Sequence, residues 1–426
     1  MPRYRLRLLH GNILVLSFTD LLGNFTRSMV FPYASLYILA LGGNATTIGL
    51  INLLGLLAGL VVLPIAGHIT DHADRIRLLV VSGILSSLFL LITIFAPNWQ
   101  TVAVASLLFG LIVFQFPAYA SLVADSLNPQ ERGRDLGIMN SISSIPAIFA
   151  PFLAGLIIER YSPNLGLRIL YMAMFVSYLA SAFIQNRFLR EPGSTPREPL
   201  KLASLTRALA QAYGTIPSLV KQMSAPLKAL AWVILFSFMI IGLTSSYWVV
   251  FATEQIGLSA PQWGLIMLVE VVVRLVVLLP AGILVDSWGR KNVLLTALVI
   301  SLVATPLFVI LKSMTAILLI RSAMAAASSL AMPACMALMA DLAPRQQRGQ
   351  MMAAIGQGGM MIGMAGGVGG PALGYLFIIP VMFASLAGGY LYTLHPAYPW
   401  LISVSLTIIS IIVTVLFIRD AKNAEV

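Results

Sequence analysis

Charge is scarce in this chain: only 10% of its 426 residues are Asp, Glu, Lys or Arg, against about 25% in an ordinary soluble domain. That excludes a soluble fold of this size. Cysteine is nearly absent as well. The lone Cys335 sits in an apolar run, so no intramolecular disulfide and no cysteine-based metal cluster can form, and it reads as a small core residue. The four histidines, His10, His68, His72 and His395, are scattered over termini and loops. No Gly-x-x-x-x-Gly-Lys-Ser/Thr loop is present, so nothing points to ATP hydrolysis within the chain. His-Glu-x-x-His, paired-Cys and nucleophile-elbow patterns are also missing. An intramembrane enzyme would need catalytic groups clustered at one depth, and the chain is read as a non-enzyme with no cofactor and no metal.

Apolar residues are plentiful: they make up 59% of the chain, and the mean hydropathy is +0.93. A helix crosses the ~30 Å hydrocarbon core with ~20 apolar residues. The apolar runs predict twelve crossings, over 13–41, 46–70, 78–97, 102–124, 136–159, 168–187, 228–255, 263–285, 293–311, 315–339, 350–378 and 398–418. The first run, preceded by Arg3, Arg5 and Arg7, continues past Asp20 and Arg27. It is too long for the ~7–15-residue apolar core of a signal peptide.

The formal charge of +11 would suggest phosphate binding in a soluble protein. Here it follows membrane topology. With the chain starting in the cytoplasm, 20 of the 26 Lys and Arg residues fall in cytoplasmic segments, which is the positive-inside pattern. Both termini are expected in the cytoplasm, in the plasma or inner membrane, with the bilayer and a small molecule as partners and no nucleic acid. Between the sixth and seventh crossings, Pro192, Gly193, Ser194, Pro196 and Pro199 lie among Arg197, Lys201, Arg207 and Lys221, a composition that marks a linker. Within it, Leu200–Ala212 carries apolar residues at helical spacing. The stretch reads either as an amphipathic helix on the inner leaflet or as a solvated tether.

The chain repeats itself. Gly67 and Asp71 stand 215 residues before Gly282 and Asp286, and Pro117 and Arg132 stand 216 before Pro333 and Arg348. A shared register over six helices predicts two halves of the same topology, related by an axis along the membrane normal. The expected units are 1–187, a basic cytoplasmic linker 188–227, and 228–426.

Two motif pairs fall in the repeat. The loop after the second crossing reads Gly67-His-Ile-Thr-Asp71-His72-Ala-Asp74-Arg75-Ile76-Arg77, and its counterpart reads Gly282-Ile-Leu-Val-Asp286-Ser-Trp-Gly289-Arg290-Lys291. Asp125 with Arg132-Gly133 matches Asp341 with Arg348-Gly349. In these residues the sequence resembles the major facilitator superfamily, whose cytoplasmic Gly-x-x-x-Asp-(Arg)-x-Gly-Arg-(Arg/Lys) motif and Asp…Arg-Gly loop they match. The resemblance covers nearly the whole chain. It implies an all-α membrane protein of twelve transmembrane helices in two pseudo-symmetric six-helix bundles, a mostly monomeric state, and secondary transport by alternating access.

It also implies a cytoplasmic gate built from Gly67, Asp71, Arg75, Asp125, Arg132, Gly282, Asp286, Gly289, Arg290, Asp341 and Arg348. A carboxylate at the inner end of the second helix can approach the positive end of a helix from the other half and a nearby Arg, latching the cytoplasmic side. The bland alternative is that these loop charges only set topology. The first copy departs from the pattern, with His72 for a basic residue, Asp74 for the Gly and Ile76 for a basic residue, which predicts a weaker or pH-sensitive first latch and a more regular second one.

The eleventh span is Gly-rich: Gly359, Gly363 and Gly367 fall on one four-residue row, Gly366, Gly370 and Gly374 on another, followed by Pro371. Small residues at this spacing let helices pack closely. The drug-antiporter branch carries a Gly-x-x-x-Gly-Pro-x-x-Gly-Gly signature in helix five; here that place holds Ala150-Pro151, and the nearer match lies in helix eleven.

Charges inside helices cost ~2.5–3.5 kcal/mol each on insertion scales and mark partners or wet cavities. Asp20, Asn24 and Arg27 fall on one face of helix one, Glu270 and Arg274 are four apart on helix eight, and Arg321 lies in helix ten. Asp20 and Glu270 are the proton-coupling candidates, with protons as the coupling ion; the pairs Asp20–Arg27 and Glu270–Arg274 read equally as structural ion pairs. Asn24, Arg27, Gln115, Tyr119, Tyr247, Trp248, Arg274 and Arg321 are cavity or substrate candidates. Tyr247 and Trp248 also suit packing or an interfacial aromatic belt. The overall pattern resembles drug–proton antiporters and predicts proton-coupled efflux of small amphiphilic compounds. The alternatives are transport of an organic anion, for which three buried arginines speak, and a membrane sensor on the same fold.

Overall fold

Inside hydrocarbon a chain must satisfy its backbone hydrogen bonds within each segment, and helices do so. The computed structural model describes residues 11–128, 130–191, 202–344, 348–356, 360, 362–364 and 373–418, and its regular structure is helical. The first crossing is α1 (Asn12–Val30), a 3-10 turn and α2 (Ala34–Ala40), followed by α3 (Ala45–His72) and α4 (Arg75–Ile94). The fourth is α5 (Trp99–Gly110), continued through a 3-10 turn into α6 (Gln115–Ser126). Next come α7 (Arg132–Ser144) and the 39-residue α8 (Ala150–Phe188).

That last helix makes two crossings. Ser162 breaks it at φ 71° and ψ 159°, and the chain folds back so tightly at Pro163 that a Cβ on Gly166 would lie 2.8 Å from the Ile158 Cα. The linker forms α9 (Leu202–Gly214) and α10 (Ile216–Gln222). The second half contains α11 (Ala225–Thr244) with α12 (Trp248–Glu254), then α13 (Ala260–Trp288), α14 (Arg290–Ile310), α15 (Met314–Leu342), α16 (Arg348–Ile355), α17 (Ile378–Leu394) and α18 (Tyr398–Phe417). Ten runs among the described residues are long and apolar enough to span a membrane, one of them the broken 132–188 run. Counting both arms of that run, and adding the charged first crossing, gives the twelve helices.

Polar caps fix the helix starts. Asn44, Asn98, Ser224, Ser259 and Ser313 each accept a hydrogen bond from a backbone N–H in the first turn of the helix that follows, satisfying a donor that would otherwise be orphaned. The irregular first motif copy has a reason of the same kind. Asp74 caps α4 by accepting from Arg77 N at 2.8 Å, whereas Gly289 makes the corresponding turn at φ 88°. Each turn closes the loop with the residue it has.

One expected span is corrected. Residues 350–378 are not one continuous helix: α16 ends at Ile355, Gly356 takes φ 101°, and among the described residues the next α-helix begins at Ile378. The eleventh helix therefore reaches Leu394, beyond the expected end at 378. Nine glycines from 356 to 374 weaken helix propensity enough to permit the break. Gly359, Gly366, Gly367, Gly370 and Pro371 lie outside the described residues, as do Arg3, Arg5, Arg7 and the proline-rich start of the linker.

The motif loops and the described chain start share one face, since Asn12 donates to Ser126 Oγ at 3.1 Å and to the Arg190 carbonyl at 2.7 Å. At the opposite, far face the halves share a core that mixes Met29, Tyr33, Ile48 and Ala154 with Tyr247, Trp263, Ile266 and Trp400. Towards the motif face the cores separate. One contains Leu16, Leu79, Ala118 and Leu122, the other Leu227, Val285, Leu294 and Leu338, joined from the first half by Leu56.

The far seam is held by glycines. A Cβ on Gly155 would sit 2.5 Å from the Ala260 carbonyl oxygen, and one on Gly264 2.6 Å from that of Pro151. At the other crossing, Cβ atoms on Gly49 and Gly389 would each lie 2.5 Å from a carbonyl oxygen, of Ser385 and Ala45 respectively. Gly49 and Gly264 are 215 apart, so both seams use the same repeat position. Ile142, Ile145 and Phe149 on one side and Leu279, Ile283 and Trp288 on the other are exposed near the motif face. The molecule is closed at the far face and parted at the motif face.

Candidate functional site

The motif loops repeat in detail. Arg75 pairs with Asp125 at 2.5 Å and with Glu191 at 3.0 Å; its repeat partner Arg290 pairs with Asp341. Arg132 donates to the Ala124 carbonyl at 2.9 Å, and Arg348 to the Ala340 carbonyl at 2.6 Å. Each arginine thus closes the end of a helix in its own half, where its charge meets the negative helix end. Asp71 and Asp286 are exposed and form no ion pair among the described residues. A Cβ on Gly67 or Gly282 would meet nothing within 4 Å. No latch between the halves is formed by these residues among the described residues, and Gly67 and Gly282 have room around them.

In the first half, Tyr119 of α6 donates its hydroxyl proton to Asp20 Oδ2. Asn24 donates to the Ser143 carbonyl at 3.0 Å, and Gln115 accepts from Ser82 at 3.4 Å. Arg27 folds back along its own helix, its Nε reaching the Gly23 carbonyl at 3.5 Å. It makes no ion pair with Asp20 among the described residues, so the structural pair suggested by their spacing is not formed. Asp20, Asn24, Arg27, Gln115 and Tyr119 are all partly accessible.

The second half is arranged differently. Glu270 is 3% exposed and Arg321 0%. Arg321 donates to Glu270 Oε2 through Nη2 at 2.5 Å and Nε at 3.1 Å, and Arg274 donates to Oε1 at 2.8 Å. The Arg321 guanidinium stacks 4.5 Å from the Trp248 ring centroid and 5.7 Å from that of Trp263, a cation–π arrangement that partly replaces lost water. Breaking such a buried pair from one side typically costs about 3–5 kcal/mol. Both oxygens of Glu270 are occupied.

Tyr247 and Trp248 do not line an open cavity. Tyr247 donates to the Ala45 carbonyl at 3.1 Å and stacks on Tyr392 with centroids 5.2 Å apart. Trp248 packs among Phe308 and Trp400. Both belong to the far-face core, which is the packing alternative raised by the sequence. Sequence reasoning missed Tyr33, whose hydroxyl lies 2.8 Å from the Pro151 carbonyl oxygen and 3.0 Å from that of Ala260. It also missed the seam glycines, although the 215-residue spacing of Gly49 and Gly264 was there to be noticed.

The family model for the Major Facilitator Superfamily matches residues 16–275 and 230–426. The chain belongs to the major facilitator superfamily. It is 25% identical over 293 residues to an uncharacterized MFS-type transporter of Methanocaldococcus jannaschii, covering 68% of this chain and 69% of that protein. Multidrug resistance protein 2 of Bacillus subtilis is 21% identical over 406 residues, covering 93% and 92% of the two chains. Among solved structures, the nucleoside transporter NupG aligns with a TM-score of 0.66 at 13% identity, covering 95% of this chain and 99% of that one. An inward-facing, occupied bacterial homolog of the human lysosomal transporter Spinster aligns with a TM-score of 0.66 at 13% identity, covering 95% of each. These identities establish the fold. This MFS protein is a multi-pass membrane transporter for a small molecule, and not an enzyme.

Proposed function

We propose that this MFS protein exports small amphiphilic molecules in exchange for protons, with Asp20 as the proton-carrying carboxylate. One observation carries the reading: of the two proton-coupling candidates, Asp20 and Glu270, only Asp20 has an oxygen left to receive a proton. Tyr119 occupies Oδ2, Oδ1 makes no hydrogen bond among the described residues, and Arg27 lies on the same helix two turns away. Glu270, with both oxygens held by arginines, is assigned a structural role instead.

The positive-inside pattern places the motif face in the cytoplasm, so the parted side is the inward-facing state. A substrate entering from the cytoplasm or inner leaflet meets Asp20, Asn24, Gln115 and Tyr119. Rocking the halves about the midplane would close the motif face and part the glycine seam. The motif residues Asp71, Arg75, Asp286 and Arg290 are assigned to holding that second state. The multidrug resistance name of the Bacillus subtilis relative supports export.

The test is liposome reconstitution with a trapped pH dye. Adding an amphiphilic compound to vesicles under a proton gradient is expected to trigger proton flux, and Asp20→Asn to abolish it. Retention of substrate-for-substrate exchange in Asp20→Asn would place the defect in coupling. Full proton flux in that variant would sink the assignment.

A further inference from the structure

The buried cluster on α13 and α15 holds one carboxylate and two guanidiniums. Glu270 is matched by Arg321, which gives it two hydrogen bonds and is itself fully buried. Arg274 then adds a positive charge with no acid of its own among the described residues. Its Nε is buried and makes no hydrogen bond, and its side chain is 32% exposed.

Arg274 is the middle residue of the 29-residue α13, fourteen positions after Ala260, which puts it near mid-membrane. Facing lipid there is costly for a guanidinium. Its carbonyl also accepts from Ser329 of α15 at 3.0 Å, which ties this part of α13 to the helix that carries Arg321. The 32% of the Arg274 side chain that is accessible avoids that cost by facing the gap that parts the halves. In the first half, Asp20 and Arg27 offset one another when Asp20 is ionised, and protonating Asp20 leaves that side positive too. In neither protonation state does the chamber favour a cation.

We infer that Arg274 is an anion-binding residue of the transport chamber, and that the exported amphiphiles carry a carboxylate or sulfonate group. The class of substrate rests on the transport reading above; the anion site on Arg274 does not. Nη2 is held by Glu270, so Nη1, which makes no hydrogen bond among the described residues, is the terminal nitrogen left to give an anionic group a charge-assisted hydrogen bond. Exchanging one anion outward for one proton inward moves two charges in the direction favoured by an inside-negative potential.

The experiment uses the full chain in phosphatidylcholine nanodiscs and three probes of one shape: 1-naphthoate, 1-naphthalenemethanol and 1-naphthylmethylammonium. Equilibrium dialysis is expected to show naphthoate binding at least tenfold tighter than the alcohol, with the ammonium weakest. Arg274→Gln, with Arg321 still holding Glu270, should remove the preference, and Arg274→Lys should keep most of it. Equal or tighter binding of the ammonium, survival of the preference in Arg274→Gln, or complete displacement of naphthoate by an equal concentration of sulfate would overturn the inference. Proton flux in liposomes separates the two readings. An Arg274-dependent naphthoate preference without proton flux would uphold the site and refute the exchange mechanism, and flux driven by cations without naphthoate binding would do the reverse.

Discussion

Placing a methyl group in the far seam should tilt the transport equilibrium, and the structure sets the size of the effect. At Gly155 the new Cβ would lie 2.5 Å from the Ala260 carbonyl oxygen and 2.8 Å from the Ala260 carbonyl carbon and the Pro261 Cα. These are backbone atoms, which cannot swing aside as a side chain does. Ordinary contact starts near 3.4 Å, so α8 and α13 must part by roughly 0.9 Å or bend. Overpacking of this kind costs ~1–3 kcal/mol. The cost falls on the far-closed state alone, because the seam is parted in the other. A differential of that size lowers the ratio of far-closed to far-open molecules by about 5- to 150-fold. Spin labels at Arg160→Cys and Gln255→Cys, exposed positions near the far ends of α8 and α12, report the gap in a Cys335→Ala background. Pulsed dipolar spectroscopy of Gly155→Ala is expected to show the longer distance gaining population at the expense of the shorter. A distribution unchanged from the parent would refute the claim that this crossing is a state-dependent contact.

Gly67→Ala should act in the opposite sense: its Cβ has free space in this state, so a methyl costs nothing here, and the same labels should report a loss of the far-open form if the motif glycine is needed for closure. Glu270→Gln should lower stability by about 3–5 kcal/mol by stranding the buried Arg321 guanidinium, and adding Arg321→Met should recover much of the loss, both read as thermal unfolding of the purified protein. Tyr213 of α9 donates to the Leu60 carbonyl at 2.6 Å and lies edge-on to Tyr375 with centroids 6.2 Å apart, so the linker helix is docked on the transmembrane body. Tyr213→Phe should weaken that docking by ~1 kcal/mol, seen as about fivefold faster proteolysis within the linker at unchanged global stability.

Much of this architecture could be read from residues alone, because hydrocarbon leaves a chain few options. Twelve apolar runs, a basic excess on one side and a 215-residue repeat led to two six-helix halves. The runs are long, strongly apolar and punctuated by Asn, Asp and Ser caps, so their existence was secure even where their ends were not. The eleventh helix was misplaced for a local reason: its glycines scored as close packing, whereas the backbone freedom of glycine breaks the helix and pushes the second arm sixteen residues beyond the expected end. The docked α9 was legible as an amphipathic stretch, but its attachment through Tyr213 was not.

For the site, sequence supplied the list of intramembrane charges, and only tertiary structure sorted them. Spacing offered Asp20–Arg27 and Glu270–Arg274 as equal pairs. In the fold Asp20 turns to Tyr119, 99 residues away, and Glu270 is claimed by Arg321, 51 residues away. Those partners lie on other helices, and no periodicity within one helix contains them. The count of charges was fixed by the sequence, yet which of them remain unbalanced depends on how helices eight and ten cross. The glycine seam has the same character: a glycine is common to packing, bending and gating, and its meaning is decided by the atoms a Cβ would strike.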